Sequence, residues 1–258
     1  MTAAKEDGQI RLEPGRIARI VIDAPASRNA MTAAMWGALP EIAARVGADP
    51  ATRVVVLTGA GGTFCAGADI GEFAETCATP ERAARYNATV RAGIGAISAI
   101  GRPVLARIEG ACFGGGVALA LACDLRFADA GATLAITPAR LGIAYSPADT
   151  QLVVRAVGAA RARDLLYSAR RVGAPEAAAI GLIDRLCPAG TLDAEIADYA
   201  EGLAQLSPAS IAQAKATIEA LTAGRTDPAI AAGFEALFVG PEFAEGRAAF
   251  LGRRPPRF

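Results

Sequence analysis

The sequence of 258 residues contains no histidine. This excludes nucleophile activation by a Ser-His-Asp or Cys-His arrangement, and it excludes every metal site that has a histidine ligand. The five cysteines show no CxxC spacing, so a cysteine-only zinc site is not expected either. We therefore predict no metal, and any chemistry must use carboxylates, tyrosine, serine, lysine, cysteine, water or backbone amides.

An excess of charge and long apolar runs are also missing. Lys and Arg together number 26, as do Asp and Glu, so no basic excess is available to neutralise phosphates and no nucleic-acid partner is expected. No run approaches the roughly 18 apolar residues of a membrane span, and the polar first nine residues lack an apolar signal core. The odd number of thiols is typical of a reducing compartment. We expect a cytoplasmic protein that does not bind membranes.

Hydrophobic residues make up 53% of the chain, enough for a sizeable core. Apolar periodicity predicts strands before Arg140 and mainly helices after it, which indicates an α/β core followed by a helical part. The predicted strands are 17–22, 54–57, 103–108, 125–127 and 133–136. The predicted helices are 31–46, 81–100, 117–123, 150–157, 160–168, 174–180, 192–206, 210–222, 227–239 and 241–251.

One glycine-containing stretch, Gly59–Phe64 (GAGGTF), directly follows a predicted strand. It is similar to a dinucleotide-binding fingerprint, but Phe64 occupies the place of the third glycine and no helix follows at once. We interpret the stretch as a turn and keep an unrelated Rossmann-like oxidoreductase only as a minor hypothesis.

Two further stretches, Phe64–Ile70 (FCAGADI) and Gly110–Gly116 (GACFGGG), indicate more. Small residues let a backbone approach a ligand closely, and a turn at a helix start offers N–H donors together with the positive end of the helix dipole. Such donors suit an oxygen that becomes negative during a reaction. Either stretch alone fits a tight turn without a ligand equally well. Each of the two stretches follows a predicted strand. Together they would let two amides, one from each turn, converge on one carbonyl oxygen.

At this point the chain resembles the enoyl-CoA hydratase/isomerase (crotonase) superfamily over nearly its whole length. Four pieces in the right order carry the resemblance, and the two glycine turns lie within the most diagnostic of them. The pieces are Ile20–Pro25 with Arg28–Met31 (IVIDAP, RNAM), Val54–Asp69 (VVVLTGAGGTFCAGAD), Ile108–Asp124 (IEGACFGGGVALALACD) and the tail from Glu245–Phe250 to Arg254–Phe258 (EGRAAF, RPPRF).

The resemblance implies an α/β fold with a crotonase-like ββα spiral core over residues 1–195 and a helical trimerisation region over 196–258. It implies an acyl-CoA thioester substrate, with coenzyme A carried as part of that substrate and no separate cofactor, and a homotrimer or a hexamer formed as a dimer of trimers. The N–H groups of Ala68 and Gly115 would form an oxyanion hole. The residues implied along coenzyme A are Arg28, Ala30, Ala66, Ala68, Asp69 and Ile70.

The sequence departs from the family pattern where hydratases place two glutamates that handle water. Those positions hold Ala118 and Pro138, and neither residue can transfer a proton. This argues against ordinary water addition to an enoyl-CoA. The function predicted is an acyl-CoA lyase or isomerase that stabilises a thioester enolate, and the alternative is a non-catalytic acyl-CoA binding or assembly protein.

Replacement acid or base groups are sought in the loop that follows Gly142. Tyr145 and Asp149 are the candidates, with Ser146 near the place that related members use. Asp149 fits equally an N-cap of a helix beginning at Thr150, and Tyr145 fits a packed aromatic. Four other side chains near the turns have plainer interpretations: a solvated helix face for Glu72 and Glu75, and small buried filler for Cys65 and Cys112.

Overall fold

Successive ββα turns build the core of the protein in a computed structural model that describes residues 8–258. The strands are β1 (Gln9–Glu13), β2 (Ile17–Asp23), β3 (Ala30–Met31), β4 (Val54–Gly59), β5 (Gly67–Ala68), β6 (Val104–Ile108), β7 (Ala111–Phe113), β8 (Leu125–Asp129), β9 (Thr133–Ala135), β10 (Arg171–Gly173) and β11 (Arg185–Cys187). The helices are α1 (Ala33–Ala48), α2 (Phe73–Thr76), α3 (Pro80–Ser98), α4 (Gly115–Ala122), α5 (Pro147–Ser168), α6 (Ala174–Ile180), α7 (Leu192–Ala204), α8 (Pro208–Thr222), α9 (Pro228–Leu237) and α10 (Pro241–Leu251).

Each ββα turn places its first strand in a six-stranded sheet with the order β1-β2-β4-β6-β8-β11. The pairs in this sheet are parallel except β1 with β2. The second strand of each turn joins a smaller inner layer, in which β3 pairs with β5 and the order β10-β9-β7 forms a three-stranded sheet. The predicted ββα spiral is therefore confirmed.

The run at β4 shows how the sequence specifies this layered arrangement. Val55 and Leu57 point into the main core, while Val54 and Val56 join a second apolar cluster that includes Phe127. Helix α7 covers that second cluster with Leu192, Ile196, Ala200 and Ala204. A parallel strand buried on both faces requires this kind of continuous β-branched run.

The predicted helices and all five predicted strands are present, while the structure corrects the start of α1 and adds short strands. Residues 30–31 form a strand instead of a helix start, because the hydroxyl of Thr32 accepts the N–H of Met35 at 3.2 Å and caps α1 there. The two helices predicted over 150–157 and 160–168 both lie within α5, where non-helical backbone at Gly158, with φ 77°, separates them as predicted. The short strands β10 and β11 lie after Arg140 and were not predicted.

The predicted division at residue 195 falls inside α7, which packs on the large sheet. The division into 1–195 and 196–258 stays a prediction.

Beyond α7, the C-terminal part of the chain leaves several large apolar side chains exposed, namely Ile218, Leu221, Phe234, Phe238, Val239, Phe243 and Phe250. None of the helices in residues 8–258 combines the length and apolar character that crossing a membrane requires.

An ion pair holds the C-terminal tail against α10. The Arg254 guanidinium binds both oxygens of Glu245 at 2.6 and 2.8 Å, and the N–H of Arg257 donates to the same carboxylate at 2.8 Å. These contacts lower the pKa of Glu245 from 4.5 to about 2. A depressed carboxylate pKa stabilises the folded arrangement above the unfolded value, and that contribution is lost as the pH falls through the folded value.

We therefore expect the tail to detach between about pH 4.5 and pH 2, ahead of the core. The amide resonance of Arg257 in NMR spectra reports this step directly. In Glu245→Gln the carboxylate is gone, so the same resonance should indicate a detached tail at neutral pH already. An identical acid transition in wild type and Glu245→Gln would contradict this assignment.

Candidate active site

The two glycine turns meet in the inner layer of the fold. The first turn is Phe64–Ile70 and the second turn is Gly110–Gly116. A Cβ atom placed on Gly115 would lie 3.8 Å from the amide nitrogen of Ala68. A Cβ atom on Gly67 would lie 3.5 Å from the amide nitrogen of Gly115 and only 2.9 Å from the carbonyl oxygen of Phe113. The backbone at Gly67 has φ +101°, which side chains rarely adopt. Glycine is required at this position. Because it has no side chain, the amides of Ala68 and Gly115 can lie close together.

Short parallel pairings fix the relative position of the two turns. In β3 and β5, Ala30 pairs with Gly67 and Met31 pairs with Ala68. Cys65 then forms a bridge with Cys112, in which the N–H of Phe113 donates to the carbonyl of Cys65 at 2.9 Å. Because each turn is held by main-chain hydrogen bonds, their separation depends little on side-chain rotamers.

The second turn passes directly into α4. Gly114 has φ +49°, its N–H donates to the carbonyl of Ala135 at 2.9 Å, and its own carbonyl accepts the N–H of Val117 at 2.9 Å. Gly115 is the first residue of α4, so its N–H has no carbonyl one turn earlier within the helix. The positive end of the α4 dipole lies at this amide.

Asn29 is a structural residue of the site that the sequence analysis missed. It is fully buried in the left-handed region with φ 58°, where its side chain accepts the N–H of Ala24 at 2.9 Å. The same amide group donates to the carbonyls of Ala60 and Thr63 at 2.8 and 2.6 Å. Asn29 therefore ties the Gly59–Phe64 turn to the segment that precedes β3. The sequence could have indicated this role, because asparagine is enriched in left-handed backbone positions and in turns.

The residues predicted along coenzyme A lie on or beside β3 and β5. The carbonyl of Arg28 accepts the N–H of Ala66 at 3.0 Å, and the N–H of Asp69 donates to Met31 at 2.9 Å. Ala30 and Asp69 line a groove of about 760 Å³. The groove is also lined by Gly8, Gln9, Asp23, Ala24, Pro25, Ala26, Ser27, Thr32, Gly71 and Glu72. Arg28 and Ile70 have exposed side chains, and Ala68 is half-buried.

Tyr145 points its hydroxyl at the second turn. The side chain keeps some exposure, but its O–H donates inward to the carbonyl of Gly114, the residue before Gly115. Burial raises the pKa of Tyr145 well above its ordinary value, and Cys112 and Asp149 add to this shift. At neutral pH the hydroxyl is therefore protonated and acts as a donor.

Asp149 occupies the third position of α5 and is not the cap of that helix. The helix begins at Pro147, and its N-cap is Ser146, whose hydroxyl accepts the N–H of Asp149 at 3.1 Å. The same hydroxyl donates to Oδ2 of Asp149 at 2.7 Å. The interpretation of Asp149 as the N-cap of a helix beginning at Thr150 was wrong, because Pro147 is tolerated in the first helical turn and lets α5 start earlier. Asp149 itself is buried, with 8% of its surface exposed.

Replacing Ser146 by alanine is expected to lower the free energy of unfolding by about 1 kcal/mol, because the N–H of Asp149 loses its acceptor at the helix start. Denaturant unfolding of the variant and of wild type measures the difference. A change of less than a few tenths of a kcal/mol would show that α5 does not need this cap.

Other groups near the turns have their own protein partners. The carboxylate of Glu72 accepts the N–H of Ala33 at 2.6 Å at the start of α1, so Glu72 is more than part of a solvated face. Glu75 is exposed, as expected. Burial raises the pKa of Cys65 to about 12 and raises that of Cys112 as well, so both thiols stay protonated at neutral pH. Both side chains are buried, as their interpretation as small filler predicts.

Ala118 and Pro138, which stand where the family resemblance implies two glutamates, have side chains without acid or base function. Ala118 is 1% exposed on α4, and Pro138 opens a short 3-10 helix at Pro138–Leu141. The carbonyl of Pro138 accepts the N–H of Ile143 at 3.2 Å, and its apolar ring has no group that could transfer a proton.

The spiral of ββα turns and its two adjoining glycine turns define a protein of the crotonase fold. Residues 13–258 match the sequence model of the family described as Enoyl-CoA hydratase/isomerase. The chain belongs to the enoyl-CoA hydratase/isomerase family.

Relatives with solved structures share the fold across almost the entire chain. A protein of Hyphomonas neptunium that is provisionally assigned to the same family is 39% identical, with a TM-score of 0.93 and coverage of 96% of this chain and 97% of that one. An enoyl-CoA hydratase of Bacillus anthracis is 30% identical, with a TM-score of 0.88 and coverage of 96% and 98%.

A relative with a different reaction is about equally similar in sequence. The peroxisomal Δ(3,5)-Δ(2,4)-dienoyl-CoA isomerase of Arabidopsis thaliana is 28% identical over 253 residues, which cover 93% of this chain and 91% of the isomerase. Hydratase and isomerase relatives at similar distance show that family membership alone does not fix the reaction.

Proposed function

We propose that the chain is an acyl-CoA thioester enzyme in which the N–H groups of Ala68 and Gly115 polarise the thioester carbonyl. The observation that carries this proposal is the approach of the two amides, with the Cβ position of Gly115 only 3.8 Å from the nitrogen of Ala68. Two donors aimed at one oxygen stabilise the negative charge that develops there when a proton next to the carbonyl is removed. The product of that step is a thioester enolate.

The surroundings of these amides strengthen their effect on a bound carbonyl. Phe64, Cys65 and Cys112 are fully buried beside the turns, so water is excluded on that side. In a medium of low dielectric constant a fixed dipole interacts more strongly with a developing charge than it would in water. The donors are also held before the substrate arrives, so no reorganisation accompanies the reaction.

The acyl group then reacts by a route other than the ordinary hydration that a glutamate pair supports. Isomerisation, hydrolysis, decarboxylation and carbon–carbon bond chemistry all pass through a polarised thioester. Asp149 is our first candidate for the proton-transfer group, because it is the buried carboxylate next to Tyr145 in the loop and helix that face the second turn. Tyr145, which is protonated at neutral pH, supports the carbonyl of Gly114 and so helps to orient the amide of Gly115.

Coenzyme A in this proposal follows the edge formed by β3 and β5. Ala30 and Asp69 line the groove, while Arg28, Ala66 and Ile70 flank it along the chain. We also propose a homotrimer or a dimer of trimers, assembled through the helical C-terminal part. The exposed side chains of Phe234, Phe238 and Phe250 support this, since apolar groups of this size on neighbouring helices suit a protein interface.

A non-catalytic acyl-CoA binding role is the second candidate, and one observation favours it. The carboxylates of Asp69, Glu72 and Asp149 each accept a hydrogen bond from the protein, namely from the Gly71 N–H, the Ala33 N–H and the Ser146 hydroxyl. Carboxylates that already hold the protein's own backbone and side chains in this way fit a structural role.

Calorimetric titration with butyryl-CoA and with free coenzyme A tests the proposal. We expect the thioester to bind more tightly than free coenzyme A, because only the thioester has an acyl carbonyl on the sulfur that the two amides can bind. Equal affinity for the two ligands would contradict the role of Ala68 and Gly115. Turnover of any member of a panel of acyl-CoA thioesters well above the rate without protein would rule out the purely binding role.

A further inference from the structure

A serine hydroxyl and a buried carboxylate form a pair at the start of α5. The hydroxyl of Ser146 donates to Oδ2 of Asp149 at 2.7 Å. Asp149 is 8% exposed and Ser146 is half-buried, so the carboxylate is largely withdrawn from water while the hydroxyl keeps partial access to it. In the function proposed above only the carboxylate has a chemical role, and the hydroxyl has none beyond capping the helix.

Helix capping accounts for only half of this contact. A capping serine needs only to accept an N–H of the first helical turn, as Ser146 does from Asp149 at 3.1 Å. When an acidic residue at the third helical position completes such a cap, its side chain ordinarily accepts the backbone N–H of the capping residue. Here the Asp149 carboxylate accepts the hydroxyl of Ser146 instead. A hydroxyl that donates to a carboxylate at this distance has the arrangement of a nucleophile with its base.

The first turn of α5 lies at the end of α4 that carries the oxyanion amide. Tyr145, which directly precedes the capping serine, donates its hydroxyl to the carbonyl of Gly114 at the start of α4. Further along α5, residues 151–152 line a cavity together with residues 121–122 at the other end of α4. Helix α5 therefore runs alongside α4 in the same direction. Its first turn, with the serine and the carboxylate, is the part of α5 nearest to Gly115.

We propose that Ser146 is a nucleophile and Asp149 its base, so that the chain hydrolyses acyl-CoA thioesters through an acyl-serine intermediate. This inference rests on the proposed function, because the amides of Ala68 and Gly115 must hold the thioester carbonyl during the attack. It adds a reaction, thioester hydrolysis, and a catalytic residue, Ser146. The absence of histidine from the chain is no obstacle, since the carboxylate takes the hydroxyl proton directly.

The reaction has two halves, with water as the second substrate. In the first half, Oγ of Ser146 bonds to the thioester carbonyl carbon, its proton passes to Asp149, and the C–S bond breaks. Coenzyme A leaves as a thiolate and takes that proton to become the free thiol. In the second half, water attacks the ester carbonyl and gives a proton to Asp149, the ester C–O bond breaks, and the serine oxygen takes the proton back. The products are a carboxylic acid and coenzyme A, and the two backbone amides stabilise the negative oxygen in both halves.

Ser146→Asn tests the inference while keeping the helix start intact. Asparagine caps helices about as well as serine, and its amide can accept the N–H and donate to the carboxylate, but it has no nucleophilic hydroxyl. Hydrolysis of the best thioester of an acyl-CoA panel is followed as release of coenzyme A. We expect kcat to fall at least about 10³-fold in this variant, with KM within about 2-fold of wild type and an unchanged melting temperature. Asp149→Asn removes the base and should lower kcat by about 10²–10⁴-fold.

Ser207→Asn is the matched control. Ser207 caps α8 and its hydroxyl also bonds a carboxylate, that of Glu242, but it belongs to the C-terminal helices, so this variant should keep wild-type hydrolysis. A fluorophosphonate, which reacts with activated serine hydroxyls, gives a second measurement that does not depend on the choice of thioester. Peptide mass mapping should find the label on Ser146 and not on Ser207, and butyryl-CoA should protect Ser146 from it.

Hydrolysis at the wild-type rate in Ser146→Asn, or a fluorophosphonate that labels Ser146 no more than Ser207, would overturn this inference. Wild-type protein that binds thioesters more tightly than free coenzyme A but hydrolyses none of the panel would also overturn it, while leaving the proposed function standing. Failure of every thioester to bind would instead overturn the proposed function itself, and this inference with it.

Discussion

Replacing Gly115 by proline is expected to lower turnover of the acyl-CoA substrate by about 10²–10³-fold, because proline has no N–H and one of the two oxyanion donors is lost. The position is favourable for such a test. Gly115 is the first residue of α4, where proline is tolerated and its missing N–H breaks no bond within the helix. Steady-state kinetics on the best substrate of an acyl-CoA panel measures the loss.

Gly115→Ala is the matched control for this experiment. Alanine and proline both add a Cβ atom, which lies 3.0 Å from Cζ2 of Trp36 and forces a small shift of the ring. Only proline removes the N–H. The effect of the lost donor is therefore the difference between the two variants, provided that circular dichroism shows both to be folded. Similar rates for Gly115→Pro and Gly115→Ala would mean that this amide does not polarise the carbonyl.

Hydration of crotonyl-CoA by the wild-type protein is expected to be about 10²–10⁴-fold slower than by a family hydratase with both glutamates, assayed side by side. That range is the usual contribution of positioned general acids and bases. The family resemblance implies glutamates at the positions of Ala118 and Pro138, and neither of these side chains can transfer a proton. Binding of crotonyl-CoA should persist, since the backbone donors and the groove remain, so the loss should fall on kcat and not on affinity.

Fast hydration would contradict this account of the missing glutamates. In that case another group would handle the water, and Asp149→Asn would be the first variant to measure. A hydration rate that collapses in Asp149→Asn would assign the task to that carboxylate. A rate that is unchanged would place it elsewhere and remove Asp149 from the mechanism.

The large elements of this fold were predictable because each depends on local pattern. The β4 run is continuous because the strand is buried on both faces, and helices α6 and α10 have the predicted bounds. Strands β3 and β5 have two residues each and carry no periodicity, so they escaped prediction although they position Ala68. The segment before β3 is held by Asn29, a buried residue whose contacts reach across more than thirty positions of the chain.

The candidate site was likewise predictable only where it depends on local sequence pattern. The glycine turns were visible in the sequence because glycine is needed where backbones approach closely, as at Gly67. The start of α5 was misplaced because Asp149 and Ser146 are both good capping residues, and only the structure shows which hydroxyl or carboxylate accepts the N–H. The packing of Trp36 on α1 against the Gly115 and Gly93 backbone is a tertiary contact, and nothing in the spacing of these residues indicates it.

The central claim is that two backbone amides polarise a thioester carbonyl, and the vibrational frequency of that carbonyl tests it most directly. Infrared difference spectra of an acyl-CoA with an isotope-labelled carbonyl should show the C=O stretch at lower frequency when bound to wild-type protein than in water. The shift should be smaller in Gly115→Pro and largely kept in Gly115→Ala. A bound carbonyl that absorbs at its solution frequency would contradict the claim.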